Sequence, residues 1–402
     1  MHKIPYCRIT CDGNELRYLQ EVIESGWLTT AGKTQELERR FAEMVGARYA
    51  LAVNSCTSAL HLAAEAMGIG RGDRVFVPTM TFTATAEVLR YLGADPVLLD
   101  VEYGTNLLTP DILEAAANRH PEVKAVMIVH YGGQAAQMDK EDGREGLLEV
   151  CRRHGLRMIE DAAHAFPARR NGRWVGALGD VTCFSFYANK TITTGEGGMV
   201  VTNDEAIARR IKVMRLHGIN RDIWDRFTAV KPSWEYDVVA PGYKYNMPDL
   251  NAAVGLAQLE RAEEFRCGRE RCVRTYQERL SALPNLDLPI LQVKPADHAW
   301  HIFPVVLKPE APVTRNRCIE LLTERGIGTS VHYKPLHRMH YYQATYGVRP
   351  EHYPQAERTW QGCLSLPLFP TLSDDELAYI CDALDEILDP ARPPEPAELR
   401  QF

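Results

Sequence analysis

Nothing in these 402 residues approaches eighteen uninterrupted apolar positions, so no membrane-spanning helix is expected. The opening stretch MHKIPYCRITCDGNELRYL lacks an apolar core before a small-residue cleavage site, so no secretory signal is read and a cytoplasmic location is expected. Long basic runs are missing too, and the net charge is −7, which argues against nucleic acid or an anionic membrane as a partner. Any phosphate must be held by a local cluster of cations and backbone amides. The ten cysteines include no metal-like CxxC pair: Cys7 and Cys11, and Cys267 and Cys272, are the only close pairs, and neither has a matching His or Cys nearby. Reduced, mostly buried thiols are the expected reading, with no metal site. Internal repeats and low-complexity tracts are absent as well.

What is present is the composition of an ordinary soluble enzyme, 45% hydrophobic and 25% charged, in a chain long enough for two domains. Between about residues 50 and 202, short apolar runs alternate with helical stretches. The runs are Tyr49–Val53, Arg74–Val77, Pro96–Leu99, Lys124–Val129, Arg157–Asp161, Val181–Tyr187 and Gly198–Thr202. They are too short for helices and rich in Val, Ile, Leu and Phe, as buried strands of a mostly parallel sheet are. Helices are expected at Thr57–Met67, Thr83–Leu92 and Gly146–His154, giving an α/β sandwich. The Gly-rich turn before Gly198 can reverse the chain and add an antiparallel strand. The texture changes near Asp249. A helix is expected over Leu250–Phe265 with more helix through Leu280, then strands at His301–Leu307 and Thr329–Tyr333 and helices at Cys318–Arg325 and Asp374–Leu388. The expected division is therefore 1–249, an N-terminal segment with a large α/β domain, and 250–402, a smaller α+β domain whose Pro-rich tail after Asp389 is loosely ordered.

Four segments carry chemistry. In VTCFSFYANKTITTGEGG a buried strand is followed by Lys190 beside a Gly-rich turn, where desolvation can lower an amine's pKa and make it a Schiff-base former. A surface lysine on a turn fits the same spacing. In RMIEDAAHA, Asp161 closes a strand, where α/β folds place ligands, and it can pair with a protonated ring nitrogen; His164 follows on the same helical face. The competing reading is a helix cap and a surface histidine. In NSCTSALHLA, the Ser55–Ser58 turn opens a helix whose free amides suit a phosphate, with Thr57 adding a hydroxyl, although capping by Thr57 or Ser58 would look alike. In PTMTFTAT, Phe82 can offer a flat face or simply join the core. Taken together they supply a phosphate cradle, an aromatic plate, a carboxylate and a lysine, the set that pyridoxal 5′-phosphate (PLP) needs.

On these motifs the chain resembles the DegT/StrS family of nucleotide-sugar aminotransferases. The likeness runs from SGWLTTAGKTQELERRFAEMVG through NSCTSALHLA, PTMTFTAT, VHYGGQAAQMD, IEDAAHA, FSFYANKTITTGEGG, RLHGI and GYKYNMPDLNAAVGLAQL to HYKPLH and LSLPLFP. It implies PLP fold type I: an aspartate-aminotransferase-like α/β fold with a mostly parallel seven-stranded sheet and a smaller α+β C-terminal domain. By the motif match, Lys190 is the lysine that bonds the cofactor, and Asp161 the partner of its ring nitrogen. His164, often Gln in the family, lies on the 3-hydroxyl side, and Phe82 stacks on the ring. Ser185, Thr57 and the Cys56 backbone hold the phosphate. Two departures stand out: Cys56 replaces a frequent Gly, and GYKYNM replaces GYNYRM, so Lys244 or Asn246 reaches the neighbouring subunit's phosphate in a homodimer with composite sites.

The resemblance also implies the reaction. L-glutamate gives its amino group through Lys190-mediated proton transfer, leaving pyridoxamine phosphate (PMP) as the intermediate cofactor form, and a nucleotide-linked keto sugar then takes the group. Arg221, Arg226 and Lys334 are candidates for the substrate diphosphate, or are solvated charges; Thr29, Thr30 and His332 are candidates for the sugar. A UDP-linked 4-keto sugar is the expected substrate. A 3-keto dTDP sugar or a free cyclitol ketone is the alternative. A sugar 3-dehydratase would carry histidine in place of Lys190, and a non-catalytic regulatory relative should have lost Lys190 or Asp161.

Overall fold

The computed structural model describes residues 3–176, 178–220 and 236–389. A seven-stranded sheet forms its larger core: β1 (Tyr49–Val53), β2 (Arg74–Pro78), β3 (Asp95–Leu99), β4 (Ala125–Val129), β5 (Arg157–Asp161), β8 (Val181–Ser185) and β9 (Gly198–Thr202), with a small β6–β7 hairpin (Arg169–Arg170, Arg173–Trp174) between β5 and β8. The order across the sheet is β1-β9-β8-β5-β4-β2-β3. Every residue of AVMIV in β4 and VTCFS in β8 is buried, because helices cover both faces. Strand β9 runs antiparallel to both β1 and β8, while the pairs among β2, β3, β4, β5 and β8 are parallel. The expected α/β fold with one reversed strand is what the chain adopts.

Register fixes the site. Val129 pairs with Asp161 and Asp161 with Cys183, so the carboxylate emerges at the carboxyl edge of the central strands. At that same edge β9 begins, and Gly198 faces Val53 on one side and Ser185 on the other. The turn after β1 and the end of β8 are thereby brought to one corner, where α/β sheets hold ligands.

A second core surrounds the antiparallel sheet β10 (Leu286–Asp287), β11 (Phe303–Leu307) and β12 (Cys363–Leu366), packed by helices Ala262–Leu280, Arg315–Glu324 and Asp374–Leu388. The chain does not keep to one core per half. Ile4 is buried in this second cluster, with its amide donating to Gly326 O at 2.9 Å and its carbonyl accepting from Gly328 N at 2.8 Å.

Local details differ from the expected elements. The helix expected over Leu250–Phe265 ends at Glu260 instead, and the further helix, Ala262–Leu280, begins after a break at Arg261 (φ −113°, ψ 9°). At the start of the first of these helices the Asp249 carboxylate accepts from Ala31 N (2.8 Å), Thr34 N (2.9 Å) and Thr34 Oγ1 (2.6 Å), capping helix Gly32–Val45 from a distant segment. The strand at 301–307 starts at Phe303, and residues 329–333 form a loop with only a Ser330–Ser365 bridge. The tail after Asp389 lies outside the described residues.

Candidate active site

The corner below Gly198 is shaped by backbone. Ser55, extended at φ −167°, caps helix Cys56–Ala66 by accepting from Ser58 N at 3.0 Å. Because Ser55 takes that task, neither Thr57 nor Ser58 is the cap, and the helix start at Cys56 and Thr57 faces a cavity. A Cβ at Gly198 would lie 2.7 Å from Ser55 C and O and 2.8 Å from Cys56 N, so only glycine lets β9 approach this turn. Ser185 lines the same cavity from the end of β8. A helix start with hydroxyls on two sides suits a phosphate.

The cavity has a volume of about 480 Å³ and is also lined by Phe82, Asp161, His164, Asn189, Lys190, His332 and Tyr333. Asp161 Oδ2 accepts from Thr85 Oγ1 at 2.7 Å, and Oδ1 accepts from Ala163 N at 3.1 Å. Thr81 Oγ1 lies 2.7 Å from Thr85 Oγ1 and can donate to it. Burial nevertheless pushes the Asp161 carboxyl up, so it is a carboxylate short of a cation. A pyridinium N–H would supply that charge. Burial also pushes the Lys190 amine down to about 8, against the opposing pull of Cys56 and Asp161. An amine so depressed is partly uncharged near neutrality, as a Schiff-base former must be.

Histidines and a tyrosine close the wall. His164 Nδ1 accepts from Gly132 N at 3.3 Å, which places its ring proton on Nε2, 2.7 Å from Tyr333 Oη. Phe82 is 57% exposed on the cavity rim, with its ring 5.9 Å from that of Tyr333. His332 Nδ1 sits 2.9 Å from Ser365 Oγ, and burial with the Lys190 charge pushes this ring down to about 4. Lys190 Nζ itself lies 3.5 Å from His301 Nε2. Behind it, a minute crevice is lined by Cys7, Thr10, Thr191 and Arg269 among others.

The remaining sequence candidates fall elsewhere. Lys244 Nζ donates to Asn246 Oδ1 (2.7 Å), and Asn246 Nδ2 donates to Thr30 Oγ1 (2.7 Å), a cluster outside this cavity. The Thr29 carbonyl accepts from Asp249 N at 3.4 Å, so Thr29 lies beside that group. Lys334 is exposed beside Tyr333, and Arg221 and Arg226 lie outside the described residues. Four neighbours were not read from sequence: Thr85, Asn189, His301 and Tyr333. Tyr333 and Asn189 sit beside residues that were read, a usable signal; His301 and Thr85 gave none. Asn189 Oδ1 is buried without a hydrogen-bond partner, an acceptor waiting at the cavity wall. An anion corner, a carboxylate short of a cation, a depressed lysine and an exposed ring are together what a phosphorylated aromatic aldehyde requires.

That chemistry and the fold define a PLP-dependent aminotransferase. The chain belongs to the DegT/DnrJ/EryC1/StrS aminotransferase family, which it matches over residues 10–385. It is 42% identical over 389 residues to the spore coat polysaccharide biosynthesis protein SpsC of Bacillus subtilis, covering 96% of this chain and 97% of that one. Among solved structures it is similar to Helicobacter pylori PseC, an aminotransferase of pseudoaminic acid biosynthesis (TM-score 0.88, 26% identity, 96% and 99% coverage). It is also similar to Spr1654 of Streptococcus pneumoniae, solved in PMP form (TM-score 0.85, 30% identity, 95% and 98% coverage) and in PLP form (TM-score 0.83). The protein is a sugar aminotransferase using PLP, and no helix among the described residues is long and apolar enough to cross a membrane.

Proposed function

We propose that this enzyme moves the amino group of L-glutamate onto a nucleotide-linked keto sugar, a UDP-linked 4-keto sugar in the first instance. One observation carries the reading: the depressed Lys190 amine and the buried Asp161 carboxylate line one open cavity with the Ser55–Thr57 corner. PLP supplies an electron sink when bound, and the chain supplies the rest. Asp161 holds a proton on the ring nitrogen, Phe82 covers the ring, and Thr57, Ser185 and the Cys56 amide hold the phosphate, with His164 on the 3-hydroxyl side. Lys190 carries the proton from the donor's α-carbon to the cofactor's C4′ carbon in the first half-reaction, and from C4′ to the sugar's reacting carbon in the second.

The donor and the nucleotide sugar rest on the family motifs, and on relatives that serve polysaccharide and pseudoaminic acid biosynthesis. Further parts of the reading are a large domain ending at 249, a smaller one over 250–402, a cytoplasmic location and no nucleic-acid partner. The Lys244–Asn246–Thr30 cluster lies away from its own cavity, which supports a homodimer in which this segment completes the neighbour's site. His332, Lys334, Thr29, Thr30, Arg221 and Arg226 are assigned to the substrate. A dTDP-linked 3-keto sugar or a cyclitol ketone is the second choice.

The test is a visible absorbance spectrum of the PLP-loaded enzyme before and after L-glutamate. The yellow band should bleach, and a UDP-4-keto sugar should restore it where a dTDP-3-keto sugar does not. A band indifferent to glutamate would remove the donor assignment, and restoration by the dTDP sugar alone would reverse the substrate choice.

A further inference from the structure

Seven buried polar side-chain atoms are recorded without a hydrogen-bond partner among the described residues, and four belong to Asn189, Thr191, Arg269 and His301 around Lys190. The His301 case is the most specific. Its Nε2 meets Lys190 Nζ at 3.5 Å, while its Nδ1 is buried and unpartnered. An unmet buried polar atom costs roughly 1–3 kcal/mol, so its persistence beside a reactive amine calls for a reason.

Two other buried histidines are locked. The Gly132 amide fixes the tautomer of His164, and the Ala136 amide, 3.1 Å from Nδ1, fixes that of His130. His301 has a fixed backbone, since Arg269 Nη1 donates to its carbonyl at 3.1 Å, and its ring lies 4.4 Å from that of His164. Nothing fixes its proton. Burial and the Lys190 charge keep the ring neutral, with one proton to place. Facing a Lys190 ammonium, Nε2 must accept, and the proton sits on Nδ1. Facing the free amine, Nε2–H can donate to the nitrogen lone pair, and Nδ1 is bare. A neutral amine accepts far better than it donates, so a tautomer locked to accept from the ammonium would hold the free amine poorly and leave its lone pair unmet.

We propose that His301 is the resting partner of the Lys190 amine, changing tautomer so that Nζ is held in place in both of its protonation states. The proposal rests on Lys190 being the reacting lysine, which must rest somewhere whenever the substrate has displaced it. Protons balance: one leaves Lys190 to solvent, and the ring exchanges its single proton with water from Nδ1 to Nε2. Other titratable groups facing the pair are His164, His332 and Arg269 around the ring and Cys56 and Asp161 around the amine. Burial drives both of those histidines down and Cys56 up, away from the lysine's range.

The test is ¹⁵N NMR of the histidine-labelled, cofactor-free full chain between about pH 6.5 and 9.5, a window set around the lysine's titration. The two His301 nitrogen shifts should exchange character with a midpoint near that of Lys190, about 8, while the ring stays neutral. The change should vanish in Lys190→Met. In the loaded enzyme His301→Phe should lower kcat about tenfold with KM unchanged, and His301→Gln, which can accept or donate, should recover part of it. Flat His301 shifts, or a titration that survives Lys190→Met, would overturn the proposal. If Lys190→Met still forms a yellow band that bleaches with glutamate, the lysine assignment itself has failed, which is a separate result.

Discussion

Tyr333 Oη lies 2.7 Å from His164 Nε2, and because the Gly132 amide occupies Nδ1, both nitrogens of His164 are engaged before anything enters the cavity. His164 reaches a cofactor hydroxyl only if Tyr333 turns aside; otherwise the tyrosine, whose own proton is free of His164, carries the contact. The second arrangement leads to a prediction. Tyr333→Phe should weaken cofactor retention about fivefold, the loss of one hydrogen bond of roughly 1 kcal/mol, with Tm nearly unchanged. Equilibrium PLP titration followed at the visible band checks it, and unaltered affinity would return the contact to His164.

Asp161 sets function against stability. Burial holds its carboxyl above the ordinary value, so the folded chain keeps this proton to higher pH than the unfolded chain does. The associated stability is present below the unfolded value and lost as pH rises through the folded one. At pH 8 the cofactor-free Asp161→Asn chain should therefore melt about 2–4 °C higher than the parent. The loaded variant should lose at least about a hundredfold in kcat, since a neutral amide cannot hold the ring nitrogen protonated. Calorimetry of the cofactor-free chains and steady-state rates are the two measurements.

Lys190 gives a pH dependence of opposite sense. Its folded value, about 8, lies below that of the unfolded chain, so the folded protein releases this proton first and gains stability as pH rises between the two. Only the uncharged amine can bond the cofactor. PLP uptake by the cofactor-free enzyme should rise about tenfold per pH unit below 8 and level off above it. Stopped-flow growth of the visible band would check this, and a profile still climbing at pH 10 would mean an undepressed lysine.

Gly198 offers a test of backbone shape alone. A methyl there meets Ser55 C and O at 2.7 Å and Cys56 N at 2.8 Å, backbone that has no rotamer to yield. Gly198→Ala should push β9 from the helix start and loosen PLP at least about tenfold while the sheet still forms. Near-normal affinity would mean that this corner does not hold the phosphate.

The strands could be read because each is a short apolar run buried on both faces, as AVMIV in β4 is throughout. Lys190, Asp161 and Ser185 were legible for a related reason: each closes or follows such a run, and register then gathers them at one edge. His301 and Thr85 were not. His301 arrives from 111 residues beyond Lys190, and Thr85 reaches Asp161 across 76, through packing that has no local pattern. The break at Arg261 was equally hidden, since both halves have helical composition.

The chain's first ten residues bear on how this scaffold could be handled. Ile4 is stitched to Gly326 and Gly328, and the strand of chain that follows runs past the back of Lys190 through Cys7 and Thr10. Exchanging this stretch with a relative's, or deleting it to shorten an expression clone, is therefore surgery on the rear of the reaction chamber. Handles and grafts fare better where the chain bulges outward, such as the tip around Gly143, where a Cβ would meet nothing within 4 Å.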